Sequence, residues 1–347
     1  MRMPQFVYSR WFLLGVFLVL AAIPLVTNRY TQFIVNLCFV YAVAGIGLNF
    51  LLGFAGQFAF AHAALMGIGA YATALLCYRL GVSFWIALPV SGLLAALIGA
   101  IATLPALRMK RVYLALMTLA FAELIQWALI HWKALTFGTD GVSVPAPRLF
   151  GYAISGDYAV FYVILVVTYL MVALARRILQ SRIGRSFVAV RGSEIVSLCN
   201  GISIAETKAI VFTLSAFYAG ISGSLFAITL GYLVPDGFGL FHLVVHFSIV
   251  VIGGLGSMMG AIVGSVLLTA LPEVLRGLQA LQEIIYGVLL MVFIVFMPTG
   301  VVGLLKKAGI LPREVLVRDW QAAYRRFKAG NGKSAGPERS ADDGEYD

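Results

Sequence analysis

Long apolar stretches constrain this chain more than any other feature of its sequence. They run for roughly 15–22 residues between glycines, prolines and short charged clusters, which suits α-helices that cross a hydrocarbon core about 30 Å thick. Hydrophobic residues make up 61% of the 347 positions and charged residues 12%, so a soluble domain of this length has too little interior to bury them. Strands of a membrane barrel would be shorter and would alternate in polarity. The sequence therefore predicts an all-α integral membrane protein.

About ten transmembrane helices are predicted, some of them short or broken. The spans are placed at residues 11–27, 33–52, 59–78, 84–104, 112–131, 158–175, 209–231, 241–254, 258–274 and 282–298. Glycine is frequent around Gly53–Gly69 and around Gly253–Gly264. In those two regions, re-entrant or interrupted helices are an alternative to full crossings.

Hydrophilic segments divide the chain into a membrane domain, two loops and a tail. Residues 1–304 are predicted to form the membrane domain, and its loop at 132–157 is rich in glycine and proline and long enough to shape a docking surface. A second loop, at 176–208, is basic and contains helix-compatible stretches. Residues 305–347 begin as a basic, partly amphipathic segment and end in a stretch whose composition predicts disorder.

Lysine and arginine lie mostly on one side of this ten-span arrangement. That side receives 20 of the 25 basic residues, including six in the 176–208 loop and nine in the 305–347 tail, whereas the other side receives five. Because basic loops stay in the cytoplasm, both termini and the 176–208 loop are predicted to be cytoplasmic and the 132–157 loop external. Membrane orientation also accounts for the net charge of +10, so no nucleic-acid partner is predicted.

No cofactor, metal or catalytic site is predicted. The three cysteines lie far apart without a CxxC pair, so neither a disulfide framework nor a zinc site is indicated. His242 and His246 have the i, i+4 spacing of some metal sites, but no acidic ligand lies near them in the sequence. The AGNGKS segment at 329–334 lacks the first glycine and the preceding core strand of a phosphate-binding loop. Nothing in the sequence indicates an enzyme.

Four polar residues stand out within or beside the predicted spans: Asn49, Gln57, His62 and Glu123. At membrane depth each needs a hydrogen-bonding partner or water, and a carboxylate costs about 3 kcal/mol or more unless it is paired, protonated or hydrated. These four residues are predicted to line a substrate route. The alternative is that they hold neighbouring helices together, and the residues by themselves leave both interpretations open.

One segment, residues 47–71, reads GLNFLLGFAGQFAFAHAALMGIGAY and resembles the permeases of branched-chain amino acid ABC importers. The match is carried by Gly47, Leu48, Asn49, Gly53, Ala55, Gly56, Gln57, His62, Ala63, Gly67, Gly69, Ala70 and Tyr71. It continues in TLAFAELI at 118–125, TDGVS at 139–143 and PTGVVG at 298–303. The resemblance covers residues 33–304, and its spacing is nearer to the longer of the two paired permeases in such importers.

The basic loop is similar to the segment through which such permeases contact their ATPases. This resemblance assigns the contact to Arg185, Glu194, Gly201 and Lys208, with a short helix that ends at Gly201. Glycine tolerates the positive φ of such a helix end, so the helix is expected to form a rigid knob. Residues 196–198 read Val-Ser-Leu where the family pattern has two alanines and a second glutamate. That departure points to a specialised ATPase partner.

The resemblance implies a permease subunit of an ATP-driven importer for leucine, isoleucine and valine in the bacterial inner membrane. The implied partners are a second related permease, two cytoplasmic ATPases and a periplasmic substrate-binding protein, together with the lipid bilayer. Related permeases carry urea, amides, aromatic acids or sugars, so the substrate stays open within this class. A stand-alone channel or an ion-coupled transporter, with Glu123 or His62 carrying a proton, is the alternative from a different class.

The charge distribution makes a testable prediction about topology. In a variant without native cysteines, single cysteines at Ser181 and Ser340 should resist a membrane-impermeant maleimide in intact cells and react after permeabilisation. A cysteine at Thr139, in the predicted external loop, should react in intact cells. External labelling at Ser181 or Ser340 would contradict the predicted orientation.

Overall fold

The computed structural model describes residues 20–21, 24, 27–106, 111–146, 148–149, 152–153, 157–274, 284–285, 287–288, 291–292 and 300–307. Its helices are α1 Arg29–Asn49, α2 His62–Arg79, α3 Phe84–Ala106, α4 Arg111–His131, α5 Asp157–Gln180, α6 Arg182–Gly192, α7 Glu194–Cys199, α8 Ile204–Leu230, α9 Leu240–Gly253, α10 Met258–Val274 and α11 Gly300–Lys307. The short helical turns are Phe50–Phe54, which is π-helical and extends α1, Lys133–Thr136, Gly138–Asp140 and Pro235–Phe238. The strands are β1 Val142–Ser143, β2 Arg148–Leu149, β3 Tyr152–Ala153 and β4 Tyr232–Leu233.

These helices confirm a multi-pass, all-α membrane protein. Within the described residues, six segments are long and apolar enough to cross a membrane, and α10 is a shorter apolar helix. Helices α1–α5 and α8–α10 coincide with predicted spans, with bounds that differ by five residues or fewer. The predicted spans at 11–27 and 282–298, and the tail at 305–347, lie largely outside the described residues.

Helix α8 lies at the centre of the described bundle, against α1, α2 and α3. Its packing on α2 is set by glycine. A Cβ on Gly69 would overlap the backbone of Gly220, and one on Gly223 would lie 2.7 Å from the backbone nitrogen of Ala70. Small residues let membrane helices approach until their backbones touch. Helices α2 and α8 are therefore held backbone to backbone.

Three buried hydroxyl groups tie α2, α3 and α8 together. Thr73 Oγ1 lies 2.9 Å from Ser91 Oγ and 2.8 Å from Ser224 Oγ, and the two serine hydroxyls are 2.5 Å apart. None of the three residues exposes any surface. Because a bilayer offers these groups no water, the triangle satisfies them internally and adds polar contacts to an apolar interface.

Short strands order part of the 132–157 loop. β1 pairs antiparallel with β4, which follows α8 directly, and β2 pairs antiparallel with β3. The Val144 N–H donates to the Gly231 carbonyl at 2.9 Å, and the Tyr232 hydroxyl donates to the Asp140 carbonyl. The segment after α4 is thereby attached to the end of α8, which makes it a structured surface.

Replacing Gly223 with alanine should destabilise the bundle, because the added methyl group has no space beside the α2 backbone. Overpacking of this kind costs about 1–3 kcal/mol. Gly192→Ala is the matched control, since nothing lies within 4 Å of a Cβ there and alanine favours helix over glycine. In detergent, Tm should fall for Gly223→Ala and stay equal or rise for Gly192→Ala. An unchanged Tm for Gly223→Ala would contradict the backbone contact.

Candidate functional site

The structure places three of the four predicted route residues together and one apart. Asn49, Gln57 and His62 lie along the break between α1 and α2, and all three are buried. The Gln57 backbone N–H donates to the Leu51 carbonyl at 2.9 Å and so follows the π-helical turn. Glu123 lies on an exposed face of α4. The predicted route therefore divides into an interior group and an outward-facing carboxylate.

The Asn49 side chain closes the break between α9 and α10. Its Nδ2 donates to the Ser257 carbonyl at 2.8 Å, and its Oδ1 accepts from the Gly256 N–H at 2.9 Å. The Gly256 N–H has this side chain as its partner, whereas the Ser257 carbonyl also accepts from the Ala261 N–H of α10 at 3.2 Å. Asn49 thus uses both ends of its amide to hold the end of α1 against this turn.

His62 joins three helices through its ring. Its Nε2 lies 2.9 Å from the Ala44 carbonyl oxygen in α1, and its Nδ1 lies 3.2 Å from the Ser215 hydroxyl in α8. A carbonyl can only accept, so Nε2 carries a proton and donates to Ala44, while Nδ1 shares a hydrogen bond with the Ser215 hydroxyl. The ring of His246 in α9 packs edge-on against it, with 5.6 Å between centroids. Within the described residues, no group of three or more His, Cys, Asp or Glu side chains is placed to hold a metal ion.

The two helix breaks meet at Gly53, Gly56 and Gly256, which we call the glycine junction. A Cβ on Gly53 would overlap the Gly256 nitrogen, so the two breaks pack backbone against backbone. Gly256 has a φ of 76°, in the left-handed region that favours glycine. A Cβ there would also lie 2.9 Å from Nη1 of Arg191. The junction therefore has room only for glycine at its contact points.

Arg191, from α6, fills the glycine junction, and the sequence did not predict it as a functional residue. Its Nη1 donates to the Gly53 carbonyl, and a Cβ on Gly56 would lie 2.9 Å from its Cγ. A cation suits this position because the carbonyl dipoles at the π-helical end of α1 point toward it. Burial lowers the pKa of Arg191, but a guanidinium stays charged at neutral pH. Nothing in the pattern of the basic loop distinguishes Arg191 from the other arginines there.

The predicted knob is present as α7, with a serine cap at its start and a glycine turn at its end. Ser193 caps the start. Gly201 has a φ of 74°, and its N–H donates to the Leu198 carbonyl at 2.9 Å. The Ile202 N–H donates to the Ser197 carbonyl at 3.0 Å. These two bonds form a Schellman motif, in which a glycine in the left-handed region ends the helix.

The other residues of the predicted ATPase contact divide into a pair and a separate arginine. Lys208 Nζ lies 3.0 Å from Glu194 Oε1, so the first residue of α7 is paired with α8. Because Glu194 is partly exposed and exposed ion pairs contribute at most about 1 kcal/mol, the pair orients α7 more than it stabilises the fold. Arg185 lies on α6 and donates to the Gln180 carbonyl at 3.3 Å. The structure thus gathers Glu194, Lys208 and Gly201 around α7 and leaves Arg185 outside that group.

The outward surface of α7 is apolar. Ile195, Val196 and Leu198 expose 75%, 49% and 57% of their surfaces. Val196 and Leu198 are also two of the three positions, 196–198, at which this chain departs from the pattern of the family that it resembles. On a helix of six residues, which is too short to cross a bilayer, exposed apolar side chains favour contact with another protein chain.

Comparison with known proteins identifies relatives of the chain. The family model described as branched-chain amino acid transport system / permease component matches residues 30–297. The high-affinity branched-chain amino acid transport system permease protein LivM of Escherichia coli K12 is 31% identical over 318 residues, which cover 85% of this chain and 75% of LivM. LivH of the same strain, named as a permease protein of the same kind of system, is 27% identical over 295 residues, which cover 78% of this chain and 93% of LivH. BraD of Pseudomonas aeruginosa PAO1, also so named, is 27% identical over 298 residues, 79% of this chain and 96% of BraD. No solved structure matches the chain.

Asn49 and Arg191 should act together, because both hold the glycine junction. Asn49→Leu leaves the buried Gly256 N–H unpaired and Arg191→Met leaves the Gly53 carbonyl unpaired, so each should lower the free energy of unfolding by about 1–3 kcal/mol. The double variant should lose less than the sum, with a coupling energy of about 0.5–3 kcal/mol.

Thr73→Val, in the separate hydroxyl triangle, is the control for this cycle. Its effect should add to that of Arg191→Met, because the two side chains share no partner. Unfolding in detergent measures all five variants, and strict additivity of Asn49→Leu and Arg191→Met would contradict a shared junction.

Proposed function

Because this chain belongs to the branched-chain amino acid transport permease family, we propose that it is the membrane-spanning subunit of an ATP-driven importer for leucine, isoleucine and valine. The family match over residues 30–297 supports the role, and the names of LivM, LivH and BraD support the substrate class. These amino acids carry an apolar side chain beside a zwitterionic head group. A route with few charged side chains suits such a substrate.

The proposed subunit crosses the bacterial inner membrane ten times, with both termini in the cytoplasm. Residues 1–304 are its transmembrane permease domain, and 305–347 are its cytoplasmic tail. The excess of lysine and arginine on one side supports this orientation. Helices α6 and α7 support a cytoplasmic loop at 176–208, because at 11 and 6 residues they are too short to cross a bilayer. The 132–157 segment then faces the periplasm.

The proposed assembly contains a second related permease, two ATPases and a periplasmic binding protein. LivM and LivH are different permease proteins of one strain, both named for high-affinity branched-chain amino acid transport, and both match this chain. That double match supports pairing with a related permease. The ATPases and the binding protein follow from the resemblance of the 176–208 and 139–143 segments to the same family.

The observation that carries the proposal is the geometry of α7. Its surface is apolar and exposed, while its ends are set by Ser193, by Gly201 and by the pair of Glu194 with Lys208. A helix held in this way can accept an ATPase on its outer face and move as a rigid piece. We assign α7 as the ATPase contact.

Arg191 offers the path by which such movement reaches the membrane helices. It lies on α6, which is joined to α7 through the single extended residue Ser193, and its guanidinium holds the Gly53 carbonyl. Asn49 connects the same junction to the turn between α9 and α10. Displacement of α6 and α7 would therefore shift both helix breaks at once, as alternating access requires.

The interior polar residues take different proposed roles along the route. The polar atoms of Asn49 and His62 are engaged with partners in the same chain, so these residues shape the route and position its walls. Gln57 lies between them in the sequence at the same helix break and remains the interior residue proposed to meet the substrate. Glu123 lies apart from this group, on the surface of α4.

Reconstitution of the complete complex tests the proposed function. The permease pair, the ATPases and the binding protein encoded beside them should import labelled leucine into proteoliposomes only with ATP and the binding protein present. Unlabelled isoleucine and valine should compete, whereas urea, acetamide, phenylalanine and ribose should not. Uptake that is independent of ATP would support the channel or ion-coupled alternative and refute the importer.

Variants of α7 test the coupling role on the same preparations. Ile195→Asp should lower ATPase co-purification and leucine uptake together by about tenfold, because a buried unpaired carboxylate costs well over 1 kcal/mol at an apolar contact. Gly201→Val should act similarly, because a β-branched residue strains the φ of 74°. Ile183→Asp is the matched control on α6, where Ile183 exposes 44% of its surface. Normal uptake in both α7 variants would contradict the coupling assignment.

A further inference from the structure

We propose that one face of α4 is the contact surface for the second, related permease subunit, and that a hydrogen-bond donor or cation of that subunit meets Glu123 there. This α4 face consists of Tyr113, Leu116, Ala120, Glu123, Trp127 and His131. The spacing of three or four residues places all six on one side of the helix. The inference rests on the proposed importer, since it needs a paired permease.

Helix α4 is the least enclosed of the candidate spans among the described residues. Only 17% of its most apolar window is buried, compared with 39% for α3 and 50% for α5. Its inner side contacts α2, α3 and the turn at Pro235–Phe238. The α4 face therefore points away from the other described helices along the whole length of α4.

The exposed sides of α3 and α5 provide the comparison, because they are apolar throughout the membrane. On α3 the exposed large side chains are Trp85, Ile86, Leu93, Leu94, Leu97, Ile101 and Leu104. On α5 they are Tyr158, Tyr162, Val166, Leu170 and Leu174. Hydrocarbon tails can cover both stripes without leaving a polar group unpaired. A carboxylate interrupts the corresponding stripe on α4.

Glu123 lies too deep for its carboxylate to reach water past either end of the helix. It follows Arg111 by about 18 Å of helix rise and precedes His131 by about 12 Å. It makes no hydrogen bond or ion pair with another described residue. Ionisable residues at this depth almost always face protein or a water-filled cavity and find a partner there. Lipid tails alone would therefore leave the Glu123 carboxylate without a hydrogen-bond donor or a cation.

A related permease fits this face better than a second copy of the same chain. Two different permease proteins of one bacterial strain match this chain, so a sibling of similar helix arrangement is the expected neighbour. A second copy brought against this face by twofold symmetry would place Glu123 near its own counterpart, and like charges repel. A sibling can instead supply a donor or a cation. Ala120, one turn before Glu123, leaves space for its close approach.

Photo-crosslinking in the intact complex tests the contact without altering Glu123. The crosslinker p-benzoylphenylalanine is placed singly at Leu116, Ala120 or Trp127, and at Leu97 on α3 or Leu170 on α5 as matched controls. The second permease carries an affinity tag. The α4 positions should give an adduct that contains the tagged permease, at least tenfold more abundant than at either control. Adducts that contain a second copy of this chain, or equal yields at all five positions, would overturn the proposal.

Glu123 variants test the carboxylate itself. If it faced lipid, Glu123→Leu would leave pairing unchanged, whereas the proposal expects severalfold less co-purified second permease at equal membrane abundance of this chain. Glu123→Gln, which keeps a hydrogen-bonding oxygen, should retain more of the pair than Glu123→Leu. Leu170→Ala is the control and should pair normally. Unchanged pairing in Glu123→Leu overturns the proposed partner of Glu123.

The two proposals fail in different ways. Specific α4 adducts in a complex that does not import leucine with ATP would refute the proposed function and leave the permease contact in place. Normal ATP-dependent import without α4 adducts would refute the contact alone.

Discussion

The helices are interrupted at residues 55–61 and 254–257, and the peptide groups there need hydrogen-bond partners from other parts of the chain. The rest of the structure depends on how these partners are supplied. Peptide groups inside a helix pair within their own segment, whereas groups in an interruption need partners that neither hydrocarbon nor a packed interior supplies. Asn49 pairs the Gly256 N–H and the Ser257 carbonyl, and Arg191 pairs the Gly53 carbonyl. A side chain of α1 thereby holds the turn between α9 and α10, and a side chain of α6 holds the π-helical end of α1.

The same arrangement gives the protein a place where movement is feasible. A continuous helix resists bending because its backbone bonds reinforce one another, but the glycine junction depends on a few side-chain bonds and close backbone contacts. Packed elements tend to have discrete arrangements and to switch between them as units. An arginine that reaches the junction from a loop helix can favour one arrangement over another. In the proposed importer, α6 therefore has two roles: its arginine holds the glycine junction in place, and movement of α6 displaces the junction.

Local sequence patterns predicted the helices and the shape of α7, because both depend on neighbouring residues. The spans are visible as apolar stretches, and the end of α7 follows from the glycine at position 201 and the bonds it allows. The partners of Asn49 lie 207 and 208 residues away, and Ser215 lies 153 residues from His62. Periodicity holds no information on such pairings. Arg191 escaped prediction for the same reason, since its target in α1 is distant and its surroundings resemble an ordinary basic loop.

The sequence placed Asn49 and Glu123 in one group, and the structure separates them by where their partners lie. Both are polar residues in apolar surroundings, and hydropathy treats them alike. Asn49 and His62 form hydrogen bonds inside the chain, so the folded subunit itself supplies the partners that these two polar side chains need. Glu123 has no such bond among the described residues and lies on an outward face. A subunit that pairs Asn49 and His62 internally yet exposes a carboxylate on an apolar helix is suited to the proposed assembly, because a neighbouring subunit can supply the missing partner.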